Sequence, residues 1–223
     1  VISAPVHLPR QTVSVSASIG VSLYPTDDAD PDTLLRHADQ AMYLAKQAGR
    51  NRYHLFDPEH DRRVRSHREA LERIGRAMTE GEFELYYQPK VNMRDGQVLG
   101  AEALIRWNHP ERGLLTPAEF LPLLENTELE ATLGNWVIDT ALDQMAVWRR
   151  EGLDLTISVN VAANHIQQRA FVDNLAASLR RHPELPHGRL QLEILESAAL
   201  EDMARVAEII EECRKLGVTF ALD

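Results

Sequence analysis

Ala101-Glu102-Ala103-Leu104-Ile105-Arg106-Trp107 is the stretch that decides how the second half of this chain is read. It lies in a run from Val98 to Trp107 that reads as a β-strand. Two charged residues stand inside otherwise apolar sequence, and their even spacing points Glu102 and Arg106 to the same face. A carboxylate in apolar strand sequence is costly to bury alone, so Glu102 needs a partner. Arg106 has two readings on spacing alone: it forks onto a phosphate oxygen, or it pairs structurally with a carboxylate.

Working outward, Phe83 to Val91 reads as a preceding strand, joined through a turn at Arg94-Asp95-Gly96. After Trp107, Thr116 caps a helix begun by Pro117 and continuing to about Asn126. Glu128 to Glu151 is a longer helix, with Leu129, Leu133, Trp136, Val137, Ala141, Met145 and Trp148 on one stripe that reads as core packing. A strand (Leu155 to Val161), a helix (Phe171 to His182), a strand (Leu190 to Leu195), a helix (Asp202 to Leu216) and a strand (Val218 to Leu222) follow. Alternating strands and helices predict an α/β fold with a parallel sheet or barrel. An eight-fold barrel takes roughly 250 residues, and about half that length is present.

Four of these strands carry oxygen-donor side chains: Glu102, Asn160 in Ser158-Val159-Asn160, Glu193 and Glu196 in Leu192-Glu193-Ile194-Leu195-Glu196, and Asp223 after Phe220-Ala221-Leu222. In a parallel barrel, functional groups gather at the C-terminal ends of strands. Several carboxylates at one mouth repel each other unless a cation neutralises them, and such oxygens suit magnesium or manganese. Paired ions of that kind assist phosphodiester hydrolysis. Any one of these residues alone reads as a solvent-facing strand position or a salt-bridge partner; the repetition across strands favours the metal reading.

The first part of the chain has a different texture. Thr12 to Tyr24 alternates apolar and small polar residues and predicts a strand, in which Gly20 marks a bulge or a close backbone approach. Asp27, Asp28, Asp30 and Asp32 suit turn and cap chemistry better than a calcium loop, which would need glycine where Thr33 stands and glutamate where Asp39 stands. Asp32 is expected to cap a helix that Gly49 stops, and Tyr53 to Phe56 reads as a short strand. Pro58 to Arg76 is dense in charge, and its Leu71, Ile74 and Met78 share one helix face. It reads as a linker helix.

A net charge of −10 over 223 residues excludes broad, non-specific nucleic-acid binding, but not a phosphate-bearing ligand that a cation recruits. No run approaches 18 apolar residues, so no segment is expected to span a membrane. The lone Cys213 reads as a packed helix residue, compatible with a cytoplasmic, reducing compartment. The chain opens at Val1 without a leader of the charged-then-apolar kind and reads as beginning inside a domain.

Tyr87-Gln88-Pro89, Glu102 to Trp107, His109-Pro110, Gly113, Pro117, Glu119-Phe120, Ser158-Val159-Asn160, Leu192 to Ser197 and Phe220 to Asp223 run in order. This series resembles the EAL family of cyclic di-GMP phosphodiesterases. Ser18-Ile19-Gly20-Val21, Ala38-Asp39, Ala41-Met42-Tyr43, Ala45-Lys46 and Gly49-Arg50-Asn51 resemble the last part of a GGDEF domain, the diguanylate cyclase family. The resemblance implies the C-terminal part of a nucleotidyl-cyclase-like α+β domain (1–57), a linker helix (58–82) and an incomplete modified TIM barrel whose first strand runs antiparallel (83–223). It implies metal ligation by Glu102, Asn160, Glu193 and Asp223, with Mg2+ or Mn2+. Gln88 and Arg106 become substrate contacts, Arg106 on a phosphate. Glu196 becomes the residue that holds the loop after the Asp223 strand, and Leu195 stands where the family usually has threonine. Lys46 and Arg50 match positions that touch a nucleotide triphosphate, and could share a face at the helix end; the plainer alternative is that both solvate that end.

The implied activity is hydrolysis of cyclic di-GMP to linear pGpG by the full-length protein. The alternatives are a non-catalytic cyclic di-GMP receptor and a diguanylate cyclase with a regulatory EAL-type domain. The family's remaining catalytic residues lie beyond Asp223, so these 223 residues alone are expected to be inactive. The implied partners are cyclic di-GMP, GTP at the GGDEF-type part and a second copy through the EAL-type part. A membrane anchor upstream is compatible with this reading.

Overall fold

A computed structural model describes residues 5–9, 11–194 and 203–222. It divides into two units, Val1–Glu69 and Ala70–Asp223.

In the first unit, β1 (Val6–Leu8) and β2 (Gln11–Val13) form an antiparallel pair, while β3 (Ile19–Val21) and β4 (Tyr53–Leu55) pair in parallel. The run from Thr12 to Tyr24 is therefore two short strands rather than one. Alternation specified which faces are apolar but not where pairing stops. Helix α1 (Pro31–Gln47) lies against β3 and buries Ala41 and Ala45. Gly20 makes that approach possible: a Cβ there would fall 1.8 Å from the Ala38 carbonyl oxygen. The cap is Asp30, not Asp32; the Thr33 backbone N–H donates to Asp30 Oδ1 at 3.0 Å, and Pro31 takes the first turn, where no N–H is needed. Asp27 is buried. It accepts from Ser22 Oγ at 2.5 Å and lies 2.8 Å from His37 Nδ1, whose ring stacks on Phe56 at 4.0 Å. Burial pushes the Asp27 carboxyl up, but the Ser22 and His37 contacts outweigh it and hold the group below its usual range.

Helix α2 (Pro58–Glu80) leads into β5 (Phe83–Val91), which pairs antiparallel with β6 (Val98–His109). The sheet of the second unit runs β10-β9-β8-β6-β5, with β8 (Thr156–Val161), β9 (Leu190–Ile194) and β10 (Thr219–Leu222) parallel to β6. One edge of β6 is shared: Gly100–Ala103 pair with β8, and Trp107–His109 pair with β7 (Gly113–Leu115), a strand not anticipated from sequence. That three-residue strand pairs backbone groups that would otherwise be an open edge.

Helix α2, through Ile74 and Ala77, and helices α3 (Pro117–Leu124), α4 (Glu128–Arg150), α5 (Ala163–Ile166), α6 (Phe171–Arg180) and α7 (Met203–Lys215) supply the rest of the core. The α4 stripe packs as expected: Leu133, Val137, Ala141 and Met145 are buried, and Leu129, Trp136 and Trp148 are partly so. Thr116 caps α3 as expected, and Glu119 accepts the Thr116 backbone N–H at 2.8 Å, a reciprocal contact that locks the start of the helix. Phe83, Trp107 and Phe120 form an aromatic cluster with centroids 5.4 to 5.7 Å apart. Burial of each ring contributes about 1.5–3 kcal/mol. Glu82, one residue before β5, accepts from Trp107 Nε1 at 2.8 Å and from Arg73 Nη2 at 2.7 Å, which ties the end of α2 to the sheet. Cys213 is fully buried, and burial together with the nearby Glu212 pushes its thiol up to about 11, an inert position.

Candidate active site

Residues in register on neighbouring strands point the same way, and side chains alternate along each strand. Gln88 faces Glu102, Glu102 faces Ser158, and Ser158 faces Gln191. Two residues further along, Asn160 faces Glu193, which faces Ala221. These side chains therefore share one face of the sheet. The residues between them, Ala101, Ala103, Ile157, Val159, Leu192 and Ile194, are buried on the opposite, helix-covered face. A single period-two pattern thus separates packing from polar chemistry.

On the polar face, Asn160 Nδ2 donates to Glu102 Oε1 at 2.7 Å. This leaves Asn160 Oδ1 and the second Glu102 oxygen as donor atoms for a further partner. Glu193 is only 8% exposed, and a carboxylate so enclosed requires a counter-charge. Lys90 provides it: its ammonium contacts Glu193 Oε1 and donates to Ser158 Oγ at 2.7 Å, and Ser158 Oγ in turn donates to Gln191 Oε1 at 2.8 Å. Sequence reasoning missed Lys90, Ser158 and Gln191. The available signal was parity: Lys90 stands two residues beyond Gln88 on the same strand, so it shares that face.

Arg106 also shares the face. Its guanidinium lies over the Tyr86 ring, 5.6 Å from the centroid, and Nη1 donates to its own strand's Ile105 carbonyl at 2.8 Å. Among the described residues it has no carboxylate partner within salt-bridge distance. Gln88 is exposed beside Glu102. Asp223 and Glu196 lie outside the described residues.

The structure gathers Glu102, Asn160 and Glu193 on adjacent strands, with Gln88 and Arg106 on the same face. Among the described residues no three His, Cys, Asp or Glu side chains cluster as a metal site; the third oxygen donor is the amide of Asn160. Two carboxylates and a carboxamide make an all-oxygen set, which fits a hard divalent cation.

In the first unit, Lys46 sits in the last turn of α1, but Arg50 lies beyond the helix end, with φ 59°. The expected shared helix face is therefore absent. Gly49, at φ 106°, turns the chain out of the helix before Arg50.

The family model for the EAL domain matches residues 71–223, more than half of the chain. The chain belongs to the EAL domain family. The model for the diguanylate cyclase GGDEF domain matches residues 2–52, so the two matches fall in GGDEF–EAL order. The bifunctional diguanylate cyclase/cyclic di-GMP phosphodiesterase MucR of Pseudomonas aeruginosa is 39% identical over 223 residues, covering 100% of this chain and 32% of MucR. The cyclic di-GMP phosphodiesterase PdeR of Escherichia coli is 33% identical over 211 residues, 95% of this chain and 32% of PdeR. The chain thus spans about a third of the length of these curated relatives. Among solved structures, the PaMucR phosphodiesterase in complex with c-di-GMP matches with a TM-score of 0.66 and 38% identity, over 70% of this chain and 63% of that one. The EAL enzyme Bd1971, bound to cAMP and cyclic di-GMP, matches with a TM-score of 0.67 and 26% identity, over 89% and 52%. β5 runs antiparallel to β6 while β8, β9 and β10 continue the sheet in parallel, which is the modified-barrel arrangement of the EAL fold. EAL phosphodiesterases are divalent-metal dependent. No helix among the described residues is long and apolar enough to cross a membrane.

Proposed function

We propose that the EAL face of the full-length protein hydrolyses cyclic di-GMP to linear pGpG. The observation that carries this is the convergence of Glu102, Asn160 and Glu193 on one face, with Arg106 on the same face beside the Tyr86 ring. Glu102, Asn160 and Glu193, completed by Asp223, hold Mg2+ or Mn2+. When bound, the ions supply an activated water and neutralise charge at phosphorus. Arg106 grips a phosphate oxygen, its plane set by the Tyr86 ring. Gln88 contacts the ligand from the neighbouring strand, and Glu196 holds the loop after the Asp223 strand. The Asn160 bond to Glu102 orients the carboxylate before any ligand arrives, which lowers the cost of assembling the site.

The domain limits that accompany this reading are a GGDEF part at 1–57, a linker helix at 58–82 and an EAL part from 83. GTP is the ligand class at the GGDEF part, with Lys46 and Arg50 as phosphate contacts. The assembly is a homodimer through the EAL part, in the cytoplasm.

The test is chromatography of cyclic di-GMP incubated with full-length protein in Mg2+ or Mn2+, and in excess EDTA. The expected result is pGpG with metal and none with chelator. Retained binding without product would make the protein a receptor and overturn the hydrolase reading.

A further inference from the structure

Lys90 lies in register with Gly100 of β6, and Gly100 with Thr156 of β8. Its partners, Ser158 and Glu193, stand on β8 and β9. To reach them from β5, the side chain must cross β6. The β6 residue in its row is a glycine, so no side chain bars the way. A Cβ at Gly100 would sit 2.2 Å from the Thr156 carbonyl oxygen, so the strand spacing itself excludes a larger residue there. The Lys90 ammonium ends on Glu193 Oε1, held in place by Ser158 Oγ, which Gln191 orients. Three strands thus cooperate to place one positive charge on one carboxylate.

We infer that Lys90 is a positioning residue for Glu193 and the built-in counter-cation of the metal site. It occupies one carboxylate oxygen, fixes the side chain and leaves the other oxygen for a cation. This rests on the metal-site reading above. Like charges that share one carboxylate repel even under strong screening, so the ammonium that keeps the metal-free site assembled also weakens metal binding. Replacing Lys90 by an uncharged residue tightens metal binding and destabilises the metal-free protein, because an enclosed carboxylate is then left without a counter-charge. A purely structural lysine would change stability and leave metal affinity untouched.

The experiment is titration of full-length protein with Mn2+ alone, following free Mn2+ by its electron paramagnetic resonance signal, for wild type, Lys90→Met and Lys90→Gln. Lys90→Gln keeps hydrogen-bonding capacity without charge and carries the test if Lys90→Met fails to fold. Lys90→Arg is the charge-preserving control. The expected result is a Kd lower by on the order of tenfold in the uncharged variants, with Lys90→Arg close to wild type. Equal affinity in wild type and the uncharged variants overturns the inference while the metal site stands. No Mn2+ binding by wild type overturns the metal-site reading, and the inference with it.

Discussion

The two faces of the second unit's sheet are built from the same strands and do opposite work. Ala101, Ala103, Ile157, Val159 and Leu192 point into the helix-covered core, where each is almost fully buried. Glu102, Ser158, Asn160 and Glu193 alternate with them and meet polar partners instead. The first face contributes stability through apolar area and packing. The second carries desolvation costs that only partners offset, as expected of a site that binds charge. Mutations on the two faces should therefore separate stability from activity.

The largest effect belongs to the packed face. Leu192→Ala removes a fully buried side chain and should cost about 2–5 kcal/mol of unfolding free energy, measured by urea denaturation, with turnover per folded molecule unchanged. A fall in turnover without a fall in stability would blur the division between faces.

Next is a pH effect from the helix layer. His165 is buried against Gly134, with Nε2 3.0 Å from Asn135 Oδ1, and burial pushes its pKa down from 6.5 to about 4. Between these values the unfolded chain holds a proton that the folded chain lacks, so stability rises with pH. The contribution is fully present above pH 6.5 and is lost as pH falls toward about 4, amounting to at most roughly 3 kcal/mol. Denaturation curves from pH 7 to pH 4 should show this loss, and His165→Gln should flatten it.

On the polar face, Asn160→Leu should lower cyclic di-GMP turnover by at least about 100-fold, with little change in melting temperature because Asn160 is exposed. Arg106→Lys is the smallest: a KM about tenfold higher, since a lysine cannot fork onto phosphate or stack on Tyr86 as a guanidinium does. An unchanged KM would assign Arg106 to the Tyr86 contact alone.

Much of this division was legible in the residues. The parity of Glu102 and Arg106, the alternation around Asn160 and Glu193, and the α4 stripe all follow from the period of the element that carries them. What stayed hidden depends on contacts between distant elements. Lys90 is unremarkable in Gln88-Pro89-Lys90 until β9 brings Glu193 within its reach. β7 is too short to show a period. Four aspartates, Asp27, Asp28, Asp30 and Asp32, crowd the start of α1, and only the position of Pro31 favours Asp30 as the cap. Arg50 matched a phosphate-contact position, but Gly49 had already turned the chain off the helix.

The most direct test is cyclic di-GMP hydrolysis with Mg2+ by full-length protein and its Glu102→Ala variant, with the melting temperature of each recorded. The account predicts turnover by wild type, loss of at least about 100-fold in the variant, and closely similar melting temperatures. Turnover that survives Glu102→Ala would contradict it, because the polar face would then be a bystander to the chemistry.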